Sequence, residues 1–117
     1  MYDIVTYRTE KGNAPLEKYL RNVQKAYGES ELVKIKTYVK LLGKHGMRIN
    51  DYRPKAIKQI DGDLWELRPD RNRVFFFYHN EDTFVLLHGF RKKQQQTPIH
   101  EIETAKKRMK DYKRRYS

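Results

Sequence analysis

The hydrophobic period of the chain changes near residue 55, and this change constrains the fold more than any other feature. Before it, apolar residues recur every three or four positions, which is typical of amphipathic helices. After it, they alternate at every second position in short segments separated by turn residues, which is typical of a β-meander. The predicted strands span residues 56–60, 64–68, 73–78 and 83–89. The pattern therefore predicts helices followed by an antiparallel sheet.

The first helical half is preceded by a predicted strand over residues 2–7, which are rich in β-branched and aromatic side chains. Asn13 is predicted to cap the first helix, which carries Pro15 in its first turn. The second helix is predicted to begin at Ser30, so the two helices form a hairpin with a short link.

A basic helix is predicted at the C-terminal end, with Thr97 as its cap and Pro98 at its first position. Its last residues, beyond Tyr112, are expected to fray. We therefore predict one α+β domain over residues 1–117 with the order β-α-α-β-β-β-β-α. In this domain the two N-terminal helices pack on one face of a mainly antiparallel sheet.

The predicted meander carries two features that bear on its surface. Asp61-Gly62 is a strong hairpin signal, because a type I′ turn requires positive φ at both central positions.

In residues 73–78 both alternating sets are large and apolar, so both faces of this strand are expected to be at least partly covered. The aromatic residues Phe75–Phe77 are therefore expected to be core, with an open base-stacking surface for single-stranded RNA as the alternative.

The excess positive charge of the chain is concentrated at one end. The net charge is +11, and residues 89–117 hold ten Lys or Arg against three Asp or Glu, which supplies +7 of it. A local positive field of this kind favours a polyanion, of which nucleic acid is the commonest. The chain has no cysteine and its four histidines show no metal-ligand spacing, so we expect no metal and no cofactor. No signal peptide or membrane-length apolar segment is present, and we expect a cytoplasmic protein.

Five groups of residues occur in combination: Gly62–Arg68, Arg73–Phe76, Leu87–Phe90 with Lys92-Lys93, Thr97-Pro98, and Glu101-Ile102 with Ala105 and Arg108. Together they resemble the RelE/HigB superfamily of type II toxin–antitoxin toxins, and most closely its phage-derived HigB-like branch. The resemblance implies an endoribonuclease that cleaves mRNA, often on the ribosome, without a metal. It also implies neutralisation by a cognate HigA-like antitoxin with a helix-turn-helix domain. The toxin would then contact operator DNA only through this antitoxin.

Two alternatives to RNA cleavage stay open at this point. The first is a ParE-like gyrase poison of the same fold, which would not need a cluster of cations around a phosphate. The second is a relative that binds nucleic acid but has lost activity, because Gln96 stands where the family commonly carries a third lysine.

Cleavage of RNA through its own 2′-OH requires cations that neutralise the phosphate and a group that moves a proton. By their position in the family motif, Arg68 and Arg73 match active-site cations, and Arg73 is expected to bind the scissile phosphate. A lysine whose pKa is lowered by neighbouring cations is a candidate for proton transfer. The expected catalytic residues are Arg68, Arg73, Lys92 and Lys93, and the expected RNA-binding residues are Arg91, Tyr78, His88 and Lys58.

Overall fold

The computed structural model describes residues 1–116 of the chain, which form a five-stranded sheet and three α-helices. The elements in chain order are β1 (Asp3–Thr6), α1 (Pro15–Tyr27), α2 (Glu29–His45), a 3₁₀ turn (Gly46–Asp51), β2 (Ile57–Asp61), β3 (Leu64–Leu67), β4 (Asn72–His79), β5 (Thr83–Arg91) and α3 (Ile99–Tyr116). The strand order across the sheet is β1-β5-β4-β3-β2. Only β1 pairs in parallel, with β5, and the meander is antiparallel throughout. The predicted α+β class and element order are confirmed.

The sheet is covered on both faces, as the two apolar sets of residues 73–78 predict, and the helices that cover it lie on both sides. Helices α1 and α2 pack on one face through residues such as Leu16 and Ile35, against Phe76 and Leu86 of the sheet. Helix α3 packs on the opposite face, and Ala105 lies in this second core cluster. Phe75, Phe76 and Phe77 are each at most 1% exposed, so they are core residues, and the central strand offers no open aromatic face.

Helix α3 is longer and begins differently than the sequence predicts. It continues to Tyr116 because its last turns are tied to the start of the chain: the Tyr7 hydroxyl donates to Asp111 at 2.7 Å. The Thr97 hydroxyl does not cap the helix but donates to the Glu66 carboxylate at 3.3 Å. The Pro98 carbonyl accepts the first helical hydrogen bonds, which is the behaviour of an N-cap residue and not of the first helical position.

Two further local predictions are corrected. Ala14, and not Asn13, precedes α1, while the Asn13 backbone N–H donates to Thr9 Oγ1 at 3.1 Å. In the first hairpin, Asp61 is still a strand residue paired with Leu64, so the turn lies at Gly62-Asp63, with positive φ at Gly62 only. The type I′ turn that the sequence predicts at Asp61-Gly62 is therefore not formed.

A β-bulge interrupts the pairing of the two longest strands. Phe75 pairs with His88 whereas Phe76 pairs with Leu86, so Leu87 is the extra residue. Bulges increase local twist and turn side chains towards new directions. Arg108 of α3 donates to the Leu87 carbonyl at 3.0 Å, which satisfies an acceptor that the bulge takes out of the regular ladder.

Within residues 1–116, no helix combines the length and the apolar character needed to cross a bilayer.

The approach of α1 to β5 depends on a glycine. A Cβ atom at Gly89 would lie 2.5 Å from Tyr19 Cδ2 and 2.8 Å from Leu16 Cδ1. The Tyr19 ring cannot move away cheaply, because its hydroxyl donates to the buried Asn72 side chain at 2.7 Å.

We therefore expect Gly89→Ala to lower the free energy of unfolding by about 1–3 kcal/mol through overpacking, as measured by denaturant titration. Gly43→Ala is the matched control. Its Cβ would meet Ile4 at an ordinary 3.4 Å inside α2, and alanine is the better helix former by about 0.5–1 kcal/mol. Equal stability of Gly89→Ala and the wild-type protein would contradict this packing account.

Candidate functional site

Four cations meet around one buried carboxylate at the end of the sheet where β2, β3 and β4 lie side by side. We call this the cation cluster: Lys58, Arg68, Arg73 and Lys92, with Glu66 at its centre. Lys58 is the β2 partner of Glu66. Arg68 lies just beyond β3, where its backbone N–H donates to the Ala56 carbonyl and extends the ladder. Lys92 lies just beyond β5 and is held in the same way by the Arg71 carbonyl at 2.7 Å.

Glu66 is the charge that allows these cations to approach one another. It is 1% exposed, and its Oε1 lies 3.5 Å from Nε of both Arg68 and Arg73. Neither Nε forms a hydrogen bond, although both are buried. The two arginines therefore share one carboxylate through charge alone, and each retains an N–H donor without a partner among the described residues.

Arg73 is fixed by the turn that precedes β4. Its Nη1 donates to the backbone carbonyls of Asp70, at 2.6 Å, and Asn72, at 2.8 Å. The residue is only 7% exposed. Burial lowers the pKa of Arg73 and Glu66 opposes this effect, but a guanidinium has so high an ordinary pKa that it stays charged. Arg73 therefore contributes a fixed positive charge more than free hydrogen-bond donors.

Arg68 and Lys92 are more accessible. The Arg68 side chain is 27% exposed, and Lys92 lines an open depression together with Arg71 and Arg73. Burial, followed by the charge of Arg73, lowers the pKa of Lys92; Arg68 and Lys58 act in the same direction and Glu66 opposes them. A lysine of this kind releases its proton more readily than an ordinary lysine.

A second polar network, the Glu31 network, supports the Arg73 turn from the other face of the sheet. Asn72 is fully buried and donates to Glu31 Oε1 at 3.0 Å. Arg91 donates to the same oxygen at 3.0 Å, and Lys34 bridges Glu31 Oε2 and Asp70. Burial alone would raise the pKa of Glu31, but the hydrogen bonds from Lys34 and Arg91 outweigh burial and hold the pKa below its ordinary value. The helical hairpin thus fixes the turn whose carbonyls hold Arg73.

The structure brings together Lys58, Arg68, Arg73 and Lys92 of the predicted site residues. Lys93 follows directly and is exposed beside the depression.

The other three predicted RNA-binding residues lie apart from the cation cluster. Arg91 is committed to Glu31 and to the Tyr27 ring. His88 is held between Glu101, at 2.8 Å, and Arg108, at 3.1 Å, and burial lowers its pKa. Tyr78 stacks on Phe84 at the opposite end of β4, roughly 16 Å along the strand from Arg73.

Sequence reasoning missed the carboxylates that organise the site. Glu66 lies two residues before Arg68 on the same face of the strand, which indicates a structural ion pair, and this ion pair is present. The spacing does not indicate that Glu66 also lies beside Arg73, and Glu31 and Asn72 were assigned no role. A signal for Glu66 did exist, because an acidic residue that alternates in phase with the apolar side of a strand must be paired when it is buried. The sequence around Glu31 indicates only its i,i+3 pair with Lys34, because its other partners Asn72 and Arg91 are 41 and 60 residues away.

A family model described as "Phage derived protein Gp49-like (DUF891)" matches residues 19–110. The chain belongs to this family. The family is one of RelE-like toxins associated with toxin–antitoxin systems. The matched segment contains the whole cation cluster and the Glu31 network. No curated protein matches the chain.

The positive charge of α3 in this Gp49-like protein is partly paired. Lys106 and Lys113 form ion pairs with Asp61 and Asp63 of the first hairpin, and Arg114 pairs with Glu10 and Asp111. Such exposed pairs contribute about 0–1 kcal/mol each. Some of the positive charge that was expected to attract a polyanion therefore pairs with acidic residues of the same domain and holds α3 against it. Within residues 1–116, no three His, Asp or Glu side chains are grouped as metal ligands.

The Glu31 network predicts a pH-dependent stability. We expect Glu31→Gln to lower the free energy of unfolding by about 1–3 kcal/mol at neutral pH, because it removes charged hydrogen bonds from Lys34 and Arg91. A carboxyl group whose folded pKa is depressed stabilises the fold above its unfolded pKa and loses this contribution as the pH falls through the folded value. The difference between wild type and variant should therefore shrink below about pH 4.

Glu17→Gln is the matched control, because Glu17 pairs with Arg8 at the surface. It should change stability by less than about 1 kcal/mol at any pH. A Glu31→Gln variant that behaves like Glu17→Gln in denaturant titrations would show that the network does not stabilise the turn.

Proposed function

We propose that this Gp49-like protein is the toxin of a type II toxin–antitoxin system, of the HigB-like branch, and that it cleaves mRNA without a metal. The observation that supports the proposal is the cation cluster. Four cations gathered around one buried carboxylate leave a net positive site beside an open depression, and such a site fits a phosphodiester. A protein that only docks on gyrase has no need for this arrangement.

The proposed reaction uses the 2′-OH of the substrate as the nucleophile. Arg68 binds a non-bridging oxygen of the scissile phosphate, and Arg73 adds its fixed charge from beneath. The neutral Lys92 amine accepts the proton of the 2′-OH as its oxygen attacks phosphorus. The bond to the 5′-oxygen breaks and this oxygen takes a proton from solvent. The products carry a 2′,3′-cyclic phosphate and a 5′-OH.

Control by a partner protein is part of the proposal. A HigA-like antitoxin with a helix-turn-helix domain would cover the cation cluster or keep RNA away from it, and would bring the complex to operator DNA. Lysines of α3 that form no ion pair within residues 1–116, such as Lys107 and Lys110, would draw the free toxin to the ribosome through long-range attraction. In this proposal residues 1–117 act as one domain in the cytoplasm.

The proposed roles of Arg68 and Lys92 predict large losses of activity. We expect Arg68→Ala and Lys92→Ala each to slow the cleavage of naked RNA by about 100- to 1,000-fold, because each removes a group that acts on the transition state. Lys44→Ala is the control. It removes the same charge from an exposed position near Tyr2 and Asp82, at the other end of the sheet. Full activity of Arg68→Ala and Lys92→Ala with an intact fold would contradict the assignment.

The lowered pKa of Lys92 predicts a pH profile. The cleavage rate should rise with pH as Lys92 loses its proton, with an inflection below the ordinary lysine value of about 10.4. Lys92→Arg keeps the charge but cannot accept a proton, so it should be slow and lack this inflection. An unchanged profile in Lys92→Arg would show that another group is the base.

One experiment separates the proposed function from its alternatives. The chain is expressed from a tightly repressed promoter, the 5′ ends of cellular mRNA are mapped, and DNA supercoiling is measured in parallel. New mRNA ends that disappear in Arg68→Ala support the proposal. Altered supercoiling with intact mRNA would indicate a gyrase poison, and neither change would indicate an inactive nucleic-acid binder. Purified protein should retain RNA cleavage in excess EDTA, and a loss restored by a divalent cation would overturn the metal-free reaction.

A further inference from the structure

A groove runs between α1 and the beginning of α3, and its floor is the free edge of β5. Strand β1 pairs with Thr83–Leu86 only, so the second half of β5 has no strand beside it on that side within residues 1–116. Gly89, Phe90 and Arg91 form the floor of the groove. Its volume is about 800 Å³, which is within the range of small-molecule sites.

One wall of the groove is an aromatic ring that is already backed by a cation. Tyr27 is 49% exposed although it is a large side chain. The guanidinium of Arg91 lies 3.8 Å from the centre of its ring and is itself held by Glu31 at 3.0 Å. The ring is therefore fixed in place with one face covered, and its exposed part offers a stacking surface.

The groove adjoins the depression that Arg73 and Lys92 of the cation cluster line. Lys93 and Gln94 line both the groove and the depression that Arg73 and Lys92 line. A nucleic acid strand with one phosphate at the cluster can therefore place its neighbouring nucleotide in the groove.

The chemistry of the groove suits a base better than a second phosphate. Asn22 and Glu101 stand on opposite walls, and they offer amide and carboxylate groups to the edge of a base. Of the charged groups in the lining, Glu101 is bonded to His88 and Arg91 is paired with Glu31, so neither offers a free charge to a phosphate. An aromatic side chain can stack on any base, because every base has a π-face.

We propose that this groove binds the nucleobase next to the scissile phosphate, stacked on Tyr27. The proposal rests on the proposed function for the identity of the strand as RNA, but binding can be measured without cleavage.

The test uses a short, uncleavable 2′-O-methyl RNA and the same backbone with abasic sites in place of its bases. Their affinities are measured by fluorescence anisotropy at one salt concentration. Tyr27→Ala should weaken binding of the base-carrying strand about tenfold or more and leave the abasic strand unchanged. Lys92→Ala should weaken both strands. Tyr27→Phe keeps the ring and should bind like the wild type.

Tyr52→Ala is the matched control. Tyr52 is an exposed tyrosine that stacks on His45, away from the groove, and its loss should change neither affinity. Equal effects of Tyr27→Ala on both strands, or no effect on either, would overturn the proposal. The same holds if Tyr27→Ala leaves RNA affinity intact but weakens copurification of the antitoxin, because the groove would then be a protein-docking surface.

The two proposals fail in different ways. If the uncleavable strand binds with the predicted dependence on Tyr27 but no RNA is ever cleaved, the groove is a base-binding site and the endoribonuclease assignment is wrong. If RNA is cleaved but Tyr27→Ala changes neither binding nor the choice of cleavage positions, the groove does not bind a base and the catalytic proposal is unaffected.

Discussion

The buried carboxylate of Glu66 is the interaction on which the candidate site depends. Four cations at the end of a small sheet repel one another, and Glu66 is the acidic side chain that lies within 3.5 Å of two of them. Its own burial is costly unless it is paired, so the carboxylate and the arginines require one another. The cluster remains net positive, which leaves attraction for an external anion. The proposed phosphate site therefore consists of an excess of positive charge whose internal repulsion is reduced by one carboxylate.

The two faces of the sheet contribute differently to this site. Helix α3 covers the face on which Glu66 lies, and Thr97 before it donates to that carboxylate. The helical hairpin covers the other face, where Glu31 fixes Asn72 and with it the turn that holds Arg73. The hairpin thus covers one face of the core and also supports the turn that holds Arg73. Substitutions in α2, far from any phosphate, are expected to affect the site through this turn.

The element order could be predicted because each element carries a strong periodic signal. The family motif indicated Arg68, Arg73 and Lys92, and these residues lie close together because β3, β4 and β5 are neighbours in the sheet. Their catalytic roles stay a prediction, as does the binding of RNA by Lys58. The sequence-based predictions are wrong at residues whose contacts are made with partners far away in the chain. Thr97 is a good cap in isolation, but a buried carboxylate competes for its hydroxyl. The end of α3 should fray in isolation, but Asp111 is tied to Tyr7 across 104 residues. In the sequence Arg91 is one of several basic residues that could bind RNA, whereas in the fold it pairs with Glu31 and lies over the Tyr27 ring.

The chemistry of the cleaved ends tests the central claim most directly. Purified protein is incubated with a defined RNA, and the termini of the fragments are identified by mass spectrometry. Attack by the 2′-OH, assisted by the cation cluster, predicts a 2′,3′-cyclic phosphate or its 3′-phosphate on one fragment and a 5′-OH on the other. A single 2′-deoxy substitution at the scissile nucleotide should abolish the cut. Fragments with a 3′-OH and a 5′-phosphate, or cleavage that persists at the 2′-deoxy position, would contradict the account.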